Sequence, residues 1–376
     1  MPVGARNTVV VVGRFPPPVD GQAIATEQAA DLLGDCFAVR RISTAYPETN
    51  VRTEARLSLD KVRHYVRVAK GVRRALAEAS GAPVLWHSIS PQPLGHWRDM
   101  LTTVPAFGPE QPVYGVVHWG DFDRVFRSPL TRHTARWMLR RLRGLVFLNE
   151  GLAERCAPWV PPEQRFVVPN TIHEALVCTE AEVAAKRETH PEMPLRLLYL
   201  SNMIASKGYL DVLEAVAQLH TRGVAVRADF IGGWTADDDR ERFGARVARA
   251  GLVEAVTHHG AVYDRARVKR FYLDADVFLL PTYYPTEAQP LTILEALSAG
   301  TPVVTTEHAS IPYMVRGGQE ALFVPPRDPA AIARAVEQLA HRETWRSFSR
   351  RARRRFVEAF SPDAVRAQWE ALLAQS

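Results

Sequence analysis

Two glutamates, Glu287 and Glu295, lie eight positions apart in the segment 277–306, which reads VFLLPTYYPTEAQPLTILEALSAGTPVVTT. The second glutamate falls in the run LTILEALSA, which is apolar on nearly every side and predicts a buried helix. A buried carboxylate is costly unless it is hydrogen-bonded, and two neighbouring hydroxyl groups of a sugar could both donate to it. The alternative, without a ligand, is that one of the two glutamates is solvated and the other is salt-bridged.

The elements that must position these carboxylates are a strand, a loop, a helix and a second strand. Apolar β-forming residues predict the first strand over 277–280, and the tripeptide at 300–302, GTP, ends the helix. Pro290 is predicted to be the first helical residue, because its missing N–H costs nothing there. The amides of Leu291 and Thr292 would then be unpaired at the helix start, which suits a phosphate group.

Two more candidate side chains follow predicted strands elsewhere in the chain. Lys207 lies beside a glycine after the strand 195–200, where its charge can neutralise a diphosphate that departs as a leaving group. His118 follows the strand 113–117 and can donate to a sugar hydroxyl or to charge that develops at the anomeric carbon. The alternative for His118 is an ordinary core or surface histidine.

Three polar residues near these strands are candidates for acceptor contacts or metal binding. His87 ends the predicted strand 84–87 and is a candidate to line an acceptor cleft. Asp121 and Asp123 form a D-x-D pattern, which binds a metal in some enzymes. Because matches of three residues are common by chance, we expect Asp121 to cap a helix or to contact the acceptor instead.

The loop after the first predicted strand is a further candidate site. The strand covers 8–12, the loop GRFPPPVDGQ covers 13–22, and a helix is predicted over about 23–33. Ligands of open α/β sheets bind beyond the carboxyl ends of the strands, and Gly21 permits close backbone approach by a phosphate or an acceptor. The loop lacks the G-x-G-x-x-G pattern, so a nicotinamide site is unsupported. The alternative is a rigid proline-rich connection.

The spacing Glu287-x7-Glu295, followed by ALSAG-TPVV, resembles the signature of retaining glycosyltransferases with the GT-B fold, family 4, also called glycosyl transferases group 1. Residues 288–290, Ala-Gln-Pro, replace the commoner Gly-Phe-Gly. The resemblance implies that Glu287 and His118 face the donor sugar, that Glu295 binds the ribose, and that the helix-start amides hold the diphosphate. It covers essentially the whole chain, most strongly 195–330.

The same resemblance assigns roles to several loops. Lys207 matches the lysine that clamps the diphosphate, whereas Asn202 falls where the family has an arginine. Arg14, in the first loop of the N-terminal half, is the predicted substitute from its loop position. Gly21 matches the second glycine of the family's PPxxGG loop, with Asp20 in place of the first.

The resemblance also implies two nucleotide contacts in the C-terminal half of the chain. Gly232 follows the strand 227–231, where family members have a glycine that faces the nucleotide. The backbone at 260–262, which includes Val262, corresponds to the stretch that contacts the base. The family works without a metal ion, so no cofactor is expected beyond the nucleotide sugar as co-substrate.

The composition limits the classes of protein to which this chain can belong. The chain has 376 residues, enough for two domains, with 47 % hydrophobic residues and no apolar run of about 18 residues that would span a membrane. Three scattered cysteines suggest a reducing compartment without a metal site. The N-terminal VVVVG predicts a buried strand rather than a signal peptide. A cytoplasmic enzyme is therefore expected.

The charge of +6 favours anionic partners and comes largely from arginines. Basic runs occupy 61–74, 136–143 and 350–355. The first run interleaves apolar residues with its cations, which suits an interfacial helix at the inner face of a membrane. The alternative is a solvated helix face. The sequence has no interleaved aromatic platform or nucleic-acid motif, so nucleic acid is not an expected partner.

The alternation of short apolar strands with helical stretches predicts an α/β fold. With the resemblance it predicts GT-B architecture, in which two Rossmann-like domains face a central cleft and a C-terminal helix returns to the N-terminal domain. We expect an acceptor domain over 1–190 that includes a polar linker at about 173–193, a nucleotide-sugar domain over 191–355 and the returning helix over 356–376.

The predicted function is a retaining transfer of a sugar, of hexosyl or N-acetylhexosaminyl type, from a nucleotide-diphosphate donor to an acceptor hydroxyl. The resemblance implies a UDP-sugar donor such as UDP-glucose or UDP-N-acetylglucosamine. The acceptor is a lipid-linked saccharide, a polysaccharide or a small molecule, in bacterial polysaccharide, glycolipid or glycoside synthesis. Catalytic roles fall to His118, Glu287 and Lys207. The alternatives are a nucleotide-sugar epimerase on the same scaffold and a non-catalytic binding protein.

Overall fold

The computed structural model describes residues 7–17, 21–45, 59–79, 81–87, 89–108 and 111–374, together with the backbone but not the side chains of Lys61 and Asp237. Asp20 of the predicted first loop lies outside the described residues. Contacts divide the chain into two compact units. Unit 1 comprises Met1–Thr171 with Pro362–Ser376, and unit 2 comprises Ile172–Ser361.

The described part of unit 1 is an α/β unit around one parallel sheet. Its strands are β1 Thr8–Gly13, β2 Ala38–Ser43, β3 Val84–Trp86, β4 Val113–Val117, β5 Gly144–Phe147 and β6 Arg165–Val167. Its helices are α1 Gly21–Gly34, α2 Leu59–Glu78, α3 Pro93–Thr102, α4 Arg124–Arg127, α5 Arg132–Leu139, α6 Glu150–Cys156 and the C-terminal α15 Pro362–Leu373. The strands pair in the order β2-β1-β3-β4-β5-β6, all parallel.

Unit 2 repeats this architecture. Its strands are β7 Leu195–Leu200, β8 Val226–Ile231, β9 Val256–His258, β10 Val277–Leu280, β11 Val303–Thr305 and β12 Ala321–Phe323. Its helices are α7 Glu180–Thr189, α8 Tyr209–Thr221, α9 Asp237–Arg249, α10 Arg265–Asp274, α11 Leu291–Ser298, α12 Ile311–Met314, α13 Pro329–Leu339 and α14 Arg342–Ala359. The strands pair in the order β12-β11-β10-β7-β8-β9, all parallel.

Burial explains why these segments form strands. Val9, Val10, Val11 and Val12 of β1 are fully buried, and all residues of β10 are buried as well. Strands covered on both faces read as continuous apolar runs, which is typical of parallel sheets with helices on each side. The predicted strands 113–117, 195–200 and 277–280 have the observed bounds, and the other predicted strands differ by one residue at an end.

Strand order creates a switch point in each unit. In unit 2 the chain leaves β7 towards β8 and β9, then crosses back to β10 on the other side of β7. In unit 1 the corresponding position lies between β1 and β3. Loops that leave neighbouring strands in opposite directions open a crevice at the carboxyl edge, where ligands of such sheets bind.

The polar stretch predicted as a linker contains a helix, which corrects that expectation. Helix α7 begins with a capping box, in which Thr179 and Glu182 each bond the other's backbone amide. Val183 is fully buried in the core of unit 2, and the contact boundary accordingly falls after Thr171 rather than near residue 190. Glu180 and Glu188 lie on the exposed face of the helix, whereas Lys186 is buried and donates to the Tyr272 carbonyl oxygen over 2.7 Å.

The last helix returns to unit 1, as predicted. Val365, Trp369 and Leu372 of α15 are buried in the core that also contains Leu33 of α1. An ion pair of 2.7 Å between Arg366 Nη2 and Asp35 Oδ2 fixes the same contact at the surface. The observed helix begins at Pro362, because α14 continues to Ala359 and the chain turns between them.

Candidate functional site

The carboxyl ends of β7 and β10 bring two loops into direct contact in unit 2. The Tyr283 amide donates to the Ser206 carbonyl oxygen over 2.8 Å. Gly208 lies against the other loop, and a Cβ atom placed there would be 2.6 Å from the Pro281 carbonyl oxygen. Its φ of 86° also lies in the left-handed region that favours glycine. The glycine after Lys207 is therefore what allows the loops to approach.

Lys207 and Glu287 form an ion pair where these loops meet. Lys207 Nζ lies 2.5 Å from Glu287 Oε2, and both side chains are largely buried. The Thr282 hydroxyl donates to the same carboxylate oxygen over 3.2 Å. Lys207 Nζ also lies 4.6 Å from the ring centroid of Tyr284. The structure thus brings together a cation and a carboxylate that are 80 residues apart in sequence.

Helix α11 begins four positions after Glu287, at Leu291. Pro290 occupies the N-cap, with φ −61° and ψ 112°, and the helix begins at Leu291. This corrects the prediction that Pro290 is the first helical residue. The consequence for ligand binding is unchanged, because the amides of Leu291 and Thr292 donate to no described group. Two N–H donors are therefore available at the positive end of an eight-residue helix.

Glu295 lies one turn further along α11, and its side chain is directed into the unit. Its carboxyl atom Oε2 is buried and has no hydrogen-bond partner among the described residues. Burial raises the pKa of Glu295 to about 7, against a smaller lowering by the Tyr272 hydroxyl. That hydroxyl is itself buried and lies outside hydrogen-bond geometry. A buried acceptor of this kind is satisfied only when a donor reaches it.

Gly232, Asn202 and Val262 lie near the neighbouring strand ends of unit 2. Gly232 has φ 156°, and a Cβ atom there would be 1.9 Å from the Ser201 carbonyl oxygen. The structure therefore requires glycine at position 232 for the packing of two loops against each other. The Asn202 side chain is exposed, and Val262 is half-buried against the core. The predicted nucleotide contacts of all three remain predictions.

In unit 1 the ends of β3 and β4 bring two histidines together. His87 Nδ1 and His118 Nε2 are 3.0 Å apart. Burial lowers the pKa of His118 to about 4, and burial with the neighbouring His118 holds the pKa of His87 well below its usual value. Both rings are therefore neutral at pH 7, so one ring donates to the other.

The buried environment of His87 selects the direction of that hydrogen bond. His87 Nε2 is buried without a partner among the described residues. A proton there would be an orphaned donor, which proteins rarely tolerate, so His87 Nδ1–H donates to His118 Nε2. His118 then carries its proton on Nδ1. His87 is only 1 % exposed, and its predicted contact with an acceptor stays a prediction.

The remaining predicted residues of unit 1 have different surroundings. Gly21 is exposed at the start of α1, and Arg14 is half-buried in the preceding loop. The carboxylate of Asp123 is held by Arg127 and Arg155, at 2.8 Å and 2.9 Å. Asp121 Oδ1 is buried with no partner among the described residues. The two aspartates of the D-x-D pattern therefore have different surroundings, and the described residues contain no group of three metal-ligating side chains.

Comparison with known families identifies the unit that holds the Lys207–Glu287 pair. Residues 194–342 match the family described as glycosyl transferases group 1. The match covers less than half of the chain. The matched segment contains Lys207, Gly232, Glu287 and Glu295. Glycogen synthase of Mycobacterium tuberculosis is 30 % identical over 259 residues, 65 % of this chain and 59 % of that protein. The chain spans about half the length of the curated relatives it matches first.

Solved structures share the fold over the whole chain. A glycosyltransferase from Rickettsia africae superposes with a TM-score of 0.73 and 16 % identity, covering 98 % of both chains. Anabaena HepE, solved in complex with UDP and glucose, superposes with a TM-score of 0.69 and 14 % identity, covering 99 % of this chain and all of HepE. The predicted α/β fold of GT-B type, with two Rossmann-like units, is confirmed.

Three residues around the site escaped the sequence analysis. Thr282 and Tyr284 contact Glu287 and Lys207, and they belong to the PTYYPT loop after β10, so their position beyond a strand end was a usable signal. Tyr272, on α10, gave no sequence signal. Its approach to Glu295 depends on how two helices pack on one face of the sheet.

Proposed function

We propose that this protein is a retaining glycosyltransferase that moves a sugar from a nucleotide-diphosphate donor to an acceptor hydroxyl. The observation that carries the proposal is the Lys207–Glu287 pair beside the free amides of α11, at the switch point of the segment that matches the glycosyl transferases group 1 family. A cation and two aligned N–H donors suit a diphosphate, and a neighbouring carboxylate suits sugar hydroxyls.

In this proposal Lys207 and the α11 amides bind the two phosphates of the donor. Negative charge grows on the diphosphate as the bond between the anomeric carbon and the phosphate oxygen breaks. Lys207 and the amides stabilise that charge without moving, because the loops are already packed. The acceptor oxygen attacks the same face of the sugar, and its proton passes to the departing phosphate oxygen. Configuration at the anomeric carbon is thereby retained, and no metal ion is required.

Glu287 and Glu295 have different tasks in the bound state. Glu287 is shared between Lys207 and Thr282, so its second oxygen is the one offered to the sugar. Glu295 has a buried oxygen with no partner, which suits the two ribose hydroxyls. His118 carries its proton on Nδ1 and donates to the sugar. Roles for Gly21, Arg14 and Asp121 in donor or acceptor contacts belong to the same proposal.

The donor proposed is a UDP-sugar, and the acceptor carries its hydroxyl on a lipid-linked saccharide, a polysaccharide or a small metabolite. Support for UDP comes from HepE, whose structure holds UDP and glucose on the same fold. A thermal-shift screen of nucleotide sugars with the full chain tests the donor directly. A donor that binds the folded state raises the midpoint of unfolding in proportion to the logarithm of its concentration over Kd.

The variant Lys207→Ala tests the diphosphate role. Turnover is expected to fall by about 100-fold or more, the usual loss when a donor to transition-state charge is removed. Lys269→Ala is the matched control, because Lys269 forms a similar part-buried ion pair with Glu182 in unit 2, over 2.8 Å. Wild-type turnover in a folded Lys207→Ala protein would refute the assignment.

The epimerase alternative predicts a different product. An epimerase converts the donor with no acceptor present, whereas the transferase needs both substrates and releases a nucleoside diphosphate. Proton NMR of the reaction shows both the identity of the sugar and its anomeric configuration. A product of inverted configuration would refute the retaining mechanism. Loss of activity on chelation, with recovery when a divalent ion is added, would refute metal independence.

A further inference from the structure

Six large apolar side chains on α2 and α3 of unit 1 are exposed. On α2 they are Leu59, Val62 and Val66, and on α3 they are Leu94, Trp97 and Leu101. Their exposed fractions range from 41 % to 76 %. Each set has the spacing i, i+3, i+7, which places its members on one face of a helix. Each helix therefore carries an apolar stripe in addition to the face that packs on the core.

The two stripes lie on the same side of the helix pair. Arg98 of α3 stacks over the ring of Tyr65, at 5.1 Å, and Arg73 Nη2 donates to the Pro105 carbonyl oxygen over 3.0 Å, so α2 and α3 run in the same direction. At 3.6 residues per turn, each stripe is rotated about its own helix axis by roughly 60–80° from the face that contacts the other helix. The rotation on α2 has the opposite sense to the rotation on α3. For helices that run in the same direction, opposite rotations turn both stripes to one outer side.

Cations border this apolar surface. Arg63, Arg67, Lys70 and Arg74 follow the stripe of α2 on the side away from α3, and all four are exposed. Arg67 and Lys70 form no ion pair with any described residue. By contrast, the basic run of α14 is used within unit 2, where Arg353 binds Glu180.

We propose that the outer side of α2 and α3 docks on an anionic lipid surface. The six apolar side chains enter the boundary between headgroups and acyl chains, and the cations of α2 contact lipid phosphates. Trp97 has the amphipathic ring that is enriched at this depth of a membrane. Among the described residues no helix is long and apolar enough to cross a bilayer, so the contact is peripheral. The inference is independent of the proposed function, because it needs neither donor nor acceptor.

Co-sedimentation of the full-length protein with vesicles tests the proposal. Vesicles of phosphatidylcholine with phosphatidylglycerol are expected to bind the protein, and vesicles of phosphatidylcholine alone to bind it far more weakly. The double variant Leu94→Ser/Leu101→Ser is expected to lower the partition coefficient by about tenfold or more. The control Leu130→Ser/Val253→Ser removes two equally exposed apolar side chains elsewhere and should partition like the wild type.

The cations have a separate readout. Arg67→Gln/Lys70→Gln is expected to weaken binding to anionic vesicles by about fivefold per charge at low salt. The remaining binding should depend less on salt concentration than that of the wild type. Circular dichroism confirms the fold of each variant. Equal partition to neutral and anionic vesicles would overturn the proposal, as would unchanged binding by Leu94→Ser/Leu101→Ser. A concentration-dependent dimer that this variant abolishes would assign the surface to a second copy instead, and would also overturn it.

Discussion

Donor binding should strengthen between pH 6 and pH 8, because Glu295 must lose its proton before both of its oxygens can accept hydrogen bonds from the ribose. Burial raises the pKa of this carboxyl to about 7 in the free protein. Two donors to the charged form lower that pKa in the complex. Binding is therefore coupled to release of a proton wherever Glu295 is still protonated in the free protein.

The size of the effect follows from the fraction ionised. At pH 6 about a tenth of Glu295 carries a charge, and at pH 8 about nine tenths does. Because only the ionised form is competent for the two bonds, the Kd should fall about tenfold across this range and level off above pH 8. The His118 ring is neutral throughout, because burial lowers its pKa to about 4, and burial also holds the pKa of His87 well below its usual value.

Isothermal titration with an intact nucleotide sugar measures this dependence. A free nucleoside diphosphate is unsuitable, because a terminal phosphate ionises near pH 6 and would add its own slope. Glu295→Gln should bind with a Kd that does not change with pH and that is weaker than the wild type at pH 8 by about tenfold, the contribution of a hydrogen bond to a charged group. Glu254→Gln is the control, since Glu254 is an exposed glutamate of the same unit.

Two results would refute the reasoning. A wild-type Kd that is constant from pH 6 to pH 8 would show that Glu295 does not change its proton on binding. A pH dependence that survives in Glu295→Gln would assign the slope to another group. Lys186 is the group to examine then, because burial lowers its pKa to about 7 as well.

Three further predictions concern single residues, two that support the site and one that caps a helix of unit 1. Gly208→Ala should destabilise the protein by about 2 kcal/mol or more and lower turnover, because the added Cβ meets the Pro281 carbonyl oxygen at 2.6 Å in a left-handed conformation; chemical denaturation measures this, and an unchanged midpoint would contradict it. His87→Phe should lower kcat by roughly tenfold with little change in KM, because His118 loses the hydrogen bond that sets its tautomer; equal changes in both constants would indicate a general packing defect. Asn149→Ala should cost about 1 kcal/mol of stability with donor affinity unchanged, because its side chain caps α6; weaker donor binding would contradict a purely local role.

Much of the fold could be predicted because the chemistry of its strands is local. Buried parallel strands need apolar residues on both faces, and the runs VVVV of β1 and VFLL of β10 have them without interruption. Helix α7 was not predicted, because its polar and charged residues are also typical of a linker. Its exposed face is charged, and the capping box of Thr179 and Glu182 was the local signal that could have identified it.

The sequence by itself determined the spacing of Glu287 and Glu295. It also placed the first before a helix and the second inside it, because neighbouring residues determine where a helix begins and ends. Only the tertiary structure decided what those carboxylates meet. Lys207 reaches Glu287 because β10 inserts beside β7 after two intervening strands, and His87 meets His118 because β3 pairs with β4. Such contacts depend on strand order and helix packing, which no local sequence pattern encodes. The sequence therefore predicted which residue types could do the chemistry, but not which side chains would contact each other.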